Sequence, residues 1–185
     1  MWTIGLLAFA LLAAPPSQDA SGLVVGEDGK PVPGVQVCEV SPASAGNCVL
    51  TNKDGVYKIP HATHPKLLLR LKGFLVTAVD AAPLSEPIKL ARAAALRVTI
   101  IDIDSRRPVQ EGRVMLDQST GKRIGDYVPF NQSGVRISTL EPGVVFVRAE
   151  AKGYEAGGPV PVELAGGAEG AVTITMKKKS GSTPH

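Results

Sequence analysis

Aromatic side chains are scarce here: one Trp, three Tyr and four Phe in 185 residues. Proteins that hold single-stranded nucleic acid rely on aromatic faces for stacking, so that class is disfavoured. Charge of one sign is also lacking, because 20 Lys and Arg against 17 Asp and Glu leave a formal net charge of +3. Part of that excess is the single run Lys177-Lys178-Lys179, and nothing amounts to a nucleic-acid footprint. Helical periodicity is missing too. Beyond Ala20 only the short Ala-rich link Ala91 to Ala95 escapes this rule, so the fold class is all-β. No Gly-x-Ser-x-Gly elbow occurs, and no glycine-rich loop leads into a helix to cradle phosphate. The carboxylates are scattered, so no acid pair of the glycosidase kind can be singled out.

Long apolar runs are confined to the N-terminus, "MWTIGLLAFALLAAPPSQDASG". Ile4 to Ala14, about 11 residues, is shorter than the ~20 needed to cross a bilayer and matches a signal-peptide core of ~7–15. Only the terminal amine supplies positive charge before it. Pro15 makes cleavage after Ala14 awkward, which places the site nearer Ala20 and the leader at residues 1–20. An N-terminal strand or a disordered leader is the alternative. No Cys follows the run, so lipid attachment is not expected, and no stable membrane span remains after cleavage. The chain is read as exported: periplasmic, cell-surface or secreted.

Export gives the two cysteines a meaning. Cys38 and Cys48 flank the turn-rich "EVSPASAGN", and in an exported protein such a pair is expected to form a disulfide. Closing a loop of that size stabilises by roughly 3 kcal/mol in the chain-entropy model. Two free buried thiols or a reactive thiol are the other readings. A metal site needs more ligands than two thiols, however, and a catalytic thiol does not normally have a partner so near.

What is abundant is turn chemistry, with 20 Gly and 15 Pro. "GEDGKPVPGVQVCEV" reverses the chain at Asp28-Gly29, and Pro31 and Pro33 keep it out of a ladder until Gly34. The following alternation suggests Val35, Val37 and Val40 inward, with Gln36 and Glu39 at polar positions. Asp54-Gly55 reads as a hairpin turn between "CVLTN" and "VYKI", and Lys72-Gly73 as a second one after "KLLLRL". The design recurs. Pro31-Val32 maps to Pro108-Val109 at an offset of 77, Gly55 to Gly134 at 79, and Phe74 to Tyr154 at 80. These offsets argue for a tandem duplication jointed in "LARAAAL", with a disordered polar tail, 178–185.

The combination "SGLVVGEDGKPVPGVQV", "TNKDGVYKI" and "LKGF" resembles the carboxypeptidase regulatory-like domain. Gly22, Val24, Gly29, Pro31, Gly34, Val35, Val37, Thr51, Gly55, Tyr57 and Ile59 carry the match, with Asn52 where Asp is commoner. The resemblance implies an immunoglobulin-like, transthyretin-like β-sandwich over residues 21–91 and a diverged copy over 95–177. The second copy lacks the Thr-Asp element and the Tyr. Members of that family are usually non-catalytic appendages of exported proteins, and some relatives of the fold bind sugars.

Candidate chemistry is thin. His61 and His64 in "PHATHP" lack neighbouring ligands for zinc, and no metal or cofactor is assigned. Asp102 and Asp104 sit at alternate positions and would share a face, either as a solvated strand end or as oxygen ligands for calcium. Tyr57, Phe74 and Phe146 lie in alternating runs and read as core. Tyr127 and Phe130, in the loop-like "GDYVPFNQSG", are the candidates for contacting a ligand. The expectation is a non-enzymatic structural or protein-interaction module whose partner is an envelope or extracellular protein. The alternative is a carbohydrate-binding module whose partner is a polysaccharide.

Overall fold

The computed structural model describes residues 18–40, 46–81, 86–125 and 127–181. Seven strands come first: β1 (Gln18–Gly26), β2 (Gln36–Glu39), β3 (Cys48–Leu50), β4 (Val56–Ala62), β5 (Lys66–Arg70), β6 (Thr77–Asp80) and β7 (Ile88–Leu90). Seven more follow: β8 (Ala94–Asp102), β9 (Glu111–Gln118), β10 (Val128–Asn131), β11 (Val135–Leu140), β12 (Gly143–Glu150), β13 (Gly157–Leu164) and β14 (Glu169–Met176). No helix occurs among the described residues, so the chain is all-β.

The strands form sheets β4-β1-β7 and β3-β2-β5-β6, then β11-β8-β14 and β10-β9-β12-β13. Adding seven to each number of the first pair of sheets gives the second pair. In both halves the last strand lies parallel to the first, Val24 beside Ile88 and Thr99 beside Thr173, while the other pairings are antiparallel. Each pair of sheets encloses its own core. One contains Val24 and Ala20 of β1, Tyr57 and Ile59 of β4, Val37 of β2, and Leu67 and Leu69 of β5. The other contains Leu96, Val98 and Ile100 of β8, Val114 and Leu116 of β9, and Val145 and Val147 of β12. Alternating inward positions from two facing sheets are what a sandwich core requires.

The repeat extends to single hydrogen bonds. Val32 N donates to Val24 O and Val109 N to Ile100 O, both at 3.0 Å, beside the bridges Val25–Pro31 and Ile101–Pro108. Gly55 N donates to Asn52 O and Gly134 N to Asn131 O, with φ of 74° and 79° that an L side chain adopts only with strain. Phe74 N donates to Leu71 O and Tyr154 N to Ala151 O, and bridges join Phe74 to Arg92 and Tyr154 to Lys178.

The opening proline segment is pinned by one buried side chain. Thr51 Oγ1 accepts from Val35 N at 2.9 Å and donates to Val32 O at 2.8 Å, so one hydroxyl pairs the backbone on both sides of Pro33. Strand β2 then starts in fixed register.

Several expectations need correction. Strand β1 begins at Gln18, and Ala20 is fully buried, so the last three residues assigned to the leader belong to the sheet. The remainder of the leader lies outside the described residues. Asp54-Gly55 is a tight turn but not a hairpin, because β3 and β4 belong to different sheets. The β5–β6 hairpin does form, pairing Lys66 with Asp80 and Leu69 with Thr77. Glu39, not Val40, points inward; strict alternation from Val35 and Val37 leads to it, and Val40 is 42% exposed. Phe146 lies on the outer side of β12, opposite the buried Val145 and Val147. His61 lies within β4 rather than in a loop. Lys178 and Lys179 are not a loose tail, since Lys179 N donates to Gly153 O at 2.9 Å and Lys178 bridges Tyr154. Residues 182–185 lie outside the described residues.

Candidate interaction face

The cysteine pair is a disulfide, with Cys38 and Cys48 as register partners across β2 and β3 and Cα atoms 4.1 Å apart. Because Val37 and Glu39 point inward, the bridge lies on the outer side of the sheet, where Cys48 is exposed. It fixes the β2–β3 register and contributes no chemistry to a site.

The two candidate aromatics part company. Phe130 is only 6% exposed and belongs to the second core, so it is corrected from ligand contact to packing. Its ring lies over Gly112, its cross-strand partner, where an added Cβ would come within 2.6 Å of two ring carbons. An offset of 79 places Phe130 where the first half has the buried Thr51. The repeat itself therefore carried the signal that this position faces inward.

Tyr127 is 43% exposed and lies immediately before β10. The Arg113 guanidinium sits 4.1 Å from its ring centroid and that of Arg123 5.2 Å, while Arg123 Nη1 donates to the Tyr127 hydroxyl at 3.3 Å. Alternation in β9 sends Arg113 and Asp117 outward while Val114 and Leu116 enter the core, and Met115 between them is covered, only 6% exposed. In β12 it sends Phe146, Arg148 and Glu150 outward. Ion pairs cross this face: Arg113 to Glu150 at 2.6 Å, and Asp117 to Arg148 at 3.5 Å and to Arg123 at 3.7 Å. Each exposed pair stabilises by at most about 1 kcal/mol, so the network positions side chains more than it holds the fold. Arg, Tyr and Phe, which this face presents, are among the residue types enriched at protein–protein interfaces. A sugar platform requires open aromatic faces, whereas guanidinium groups cover this one.

The other candidates are structural. Asp102 is buried, and its Oδ1 accepts from Ser105 N at 2.8 Å, Ser105 Oγ at 2.9 Å and Asp104 N at 3.1 Å. Those Ser105 bonds hold its pKa below the usual aspartate value, and the Tyr154 hydroxyl adds to the effect. Asp104 is exposed in the turn, so the two carboxylates do not share a face. Glu39 Oε1 accepts from Thr63 N at 2.6 Å and His64 N at 3.1 Å, and His64 Nδ1 lies 3.6 Å from the same oxygen. Burial opposes ionisation of Glu39, but these backbone donors outweigh it and its pKa is lowered. The sequence marked Thr51 only as part of a family match and Glu39 only as a polar strand position, whereas both are buried and fix loops. Among the described residues no group of three His, Cys, Asp or Glu could hold a metal. No helix among them is long and apolar enough to cross a membrane.

No protein-family model matches the chain, and no curated protein matches it. Solved structures give distant likenesses. The minor pilin GBS52 of Streptococcus agalactiae is 16% identical, with a TM-score of 0.43, over 91% of this chain and 100% of that one. The shaft pilin SpaA of Lactobacillus rhamnosus GG is 12% identical, with a TM-score of 0.43, over 90% of this chain and 99% of that one. The Bacillus anthracis TIE protein is 15% identical, with a TM-score of 0.42; the match covers 88% of this chain but only 34% of that one. Likenesses this distant carry no argument about function, which has to be read from the chain's own geometry.

Proposed function

We propose that the chain is an exported, non-catalytic module of two tandem β-sandwich domains, residues 18–90 and 94–176. It acts as a stiff structural or protein-interaction element at the cell envelope or outside the cell. The joint carries this reading. Ala91 O accepts from Leu75 N at 2.9 Å and Ala93 N donates to Gly73 O at 3.0 Å, while Ala93 O accepts from Gly167 N at 3.0 Å. The connecting residues are therefore bonded to both halves, whereas a flexible tether would leave them to water. The apolar leader and the disulfide support export, and the carboxypeptidase regulatory-like resemblance supports an appendage role. The Tyr127 face is the surface we assign to a protein partner.

Trypsin tests the joint directly, because Arg92 is exposed within it. A bonded joint resists cleavage under native conditions, since a protease must first unfold several residues around the scissile bond. Rapid native cleavage after Arg92 into two stable fragments would show a flexible tether and remove the stiff-module reading. Enzymatic turnover lost on substituting any residue of the Tyr127 face would remove the non-catalytic one.

A further inference from the structure

We propose that the crevice at the junction of the two halves binds a multivalent phosphate. Its volume is about 720 Å³, and it is bounded by the end of β5, the joint, the start of β14 and the outer side of β11. Four cations line it, Arg70, Lys72, Arg92 and Arg136, against one carboxylate, Glu169. The lining thus holds three excess positive charges, as many as the formal net charge of the entire chain. Glu169 is already committed: it takes Arg136 Nε at 2.5 Å and Arg97 Nη2 at 3.0 Å. Arg70, Lys72 and Arg92 have no ion-pair partner among the described residues. On the Tyr127 face, by contrast, Arg113, Arg123 and Arg148 each have a carboxylate partner. Like charges left together repel and oppose the compact state, and an anion between them removes that cost.

The surroundings favour phosphate over other anions. Arg92 is held in place, its guanidinium 5.6 Å from the Phe74 ring centroid and its stem over Gly167, where a Cβ would come 3.0 Å from Cδ. Guanidinium forks donate two parallel hydrogen bonds to phosphate oxygens, and several of them around one cleft suit a compact ligand of two or more charges. Phe74, the lining aromatic, is already engaged by Arg92 and offers a nucleobase no second aromatic to stack between. Thr139 and Ser138 add hydroxyl donors on the opposite wall. The recognised chemistry is the phosphate itself, carried by a free polyphosphate or by a phosphodiester polymer.

Calorimetric titration of the disulfide-bonded protein at 50 mM salt tests this, with inorganic tripolyphosphate, a base-free phosphodiester oligomer, and polyglutamate of matched charge. Saturable phosphate binding is expected, falling at least tenfold in the double variant Arg70→Gln/Arg92→Gln and weakening at higher salt. Lys53→Gln together with Arg107→Gln, both exposed and outside the crevice, removes the same charge elsewhere and should leave affinity within about twofold. Both sets are surface changes, and thermal melts without ligand verify folding. The tighter of the two phosphate arms identifies the source. No saturable phosphate binding, equal loss in the control variant, or tighter binding of polyglutamate would each overturn the proposal.

Discussion

Removing the Cys38–Cys48 bridge should lower the stability of the first sandwich by about 3 kcal/mol and leave the second untouched. The cysteines are 10 positions apart, and opening a loop of that length restores conformational freedom to the unfolded chain worth about 3 kcal/mol. Little is lost in the folded state, because the bridge lies on the outer side of the sheet, away from the core under Val37 and Leu69. The fitting variant is Cys38→Ala/Cys48→Ala, which avoids new reactive thiols. For a sandwich of this size the loss corresponds to a fall of roughly 10–20 °C in the midpoint. Tyr57 lies in the first core, whereas Tyr154 packs against the second, so their resolved NMR signals follow the halves separately during a urea titration. The Tyr57 transition should move to lower urea while that of Tyr154 stays. A shift below about 1 kcal/mol would refute the loop-entropy argument, and an equal shift at Tyr154 would refute the separation of the cores.

Other perturbations test the packing and the loops. At Gly22 an added Cβ would meet the buried Tyr57 ring at 2.9 Å, so Gly22→Ala should cost about 1–3 kcal/mol by overpacking, read from urea midpoints. Gly112→Ala should cost at least as much, because its Cβ would also meet the Glu150 carbonyl oxygen at 2.3 Å, a backbone atom that cannot swing away. Glu39→Ala should cost about 1–3 kcal/mol at pH 7 by leaving the Thr63 and His64 donors unpaired. The carboxylate's pKa in the fold lies below the 4.5 of a free glutamate, so its contribution is full above that value. It is lost as pH falls through the lowered value, and the gap between wild type and Glu39→Gln should therefore narrow as pH falls below 4.5. Mass spectrometry of the exported chain should find an N-terminus at or before Gln18. Asp19 caps His61 N at 3.1 Å and pairs with Lys58 at 2.9 Å, contacts that cleavage after Ala20 would remove.

Much of this architecture could be read from turns and alternation, because both are local. The offsets of 77, 79 and 80 each reappear as a matched hydrogen-bond pattern, whereas the proline segment, expected to stay out of any ladder until Gly34, bridges β1 through Val25–Pro31 and through Val32 N to Val24 O. What local pattern could not supply was pairing. Asp54-Gly55 looks the same whether it closes a hairpin or carries the chain to the facing sheet. Polarity misled where burial is satisfied by backbone donors. Glu39 and Asp102 both continue an inward alternation, yet their charge suggested solvent. Phe130 was misplaced because Pro129 and the flanking polar residues resemble a loop; only its alignment with Thr51 marks it as interior. Lys178 and Lys179 read as a tail because nothing in their sequence announces Tyr154 and Gly153 as partners. The charged crevice was illegible for a related reason, since Arg70, Arg92 and Arg136 come together only when the halves are joined.

The stiffness of that joint is the claim on which the account depends, and residual dipolar couplings measure it most directly. Backbone couplings collected for residues 18–90 and 94–176 in one weakly aligned sample should fit a single alignment tensor of one magnitude and orientation. Two tensors of different magnitude would mean that the halves reorient independently, and would contradict the reading of this chain as a rigid tandem module.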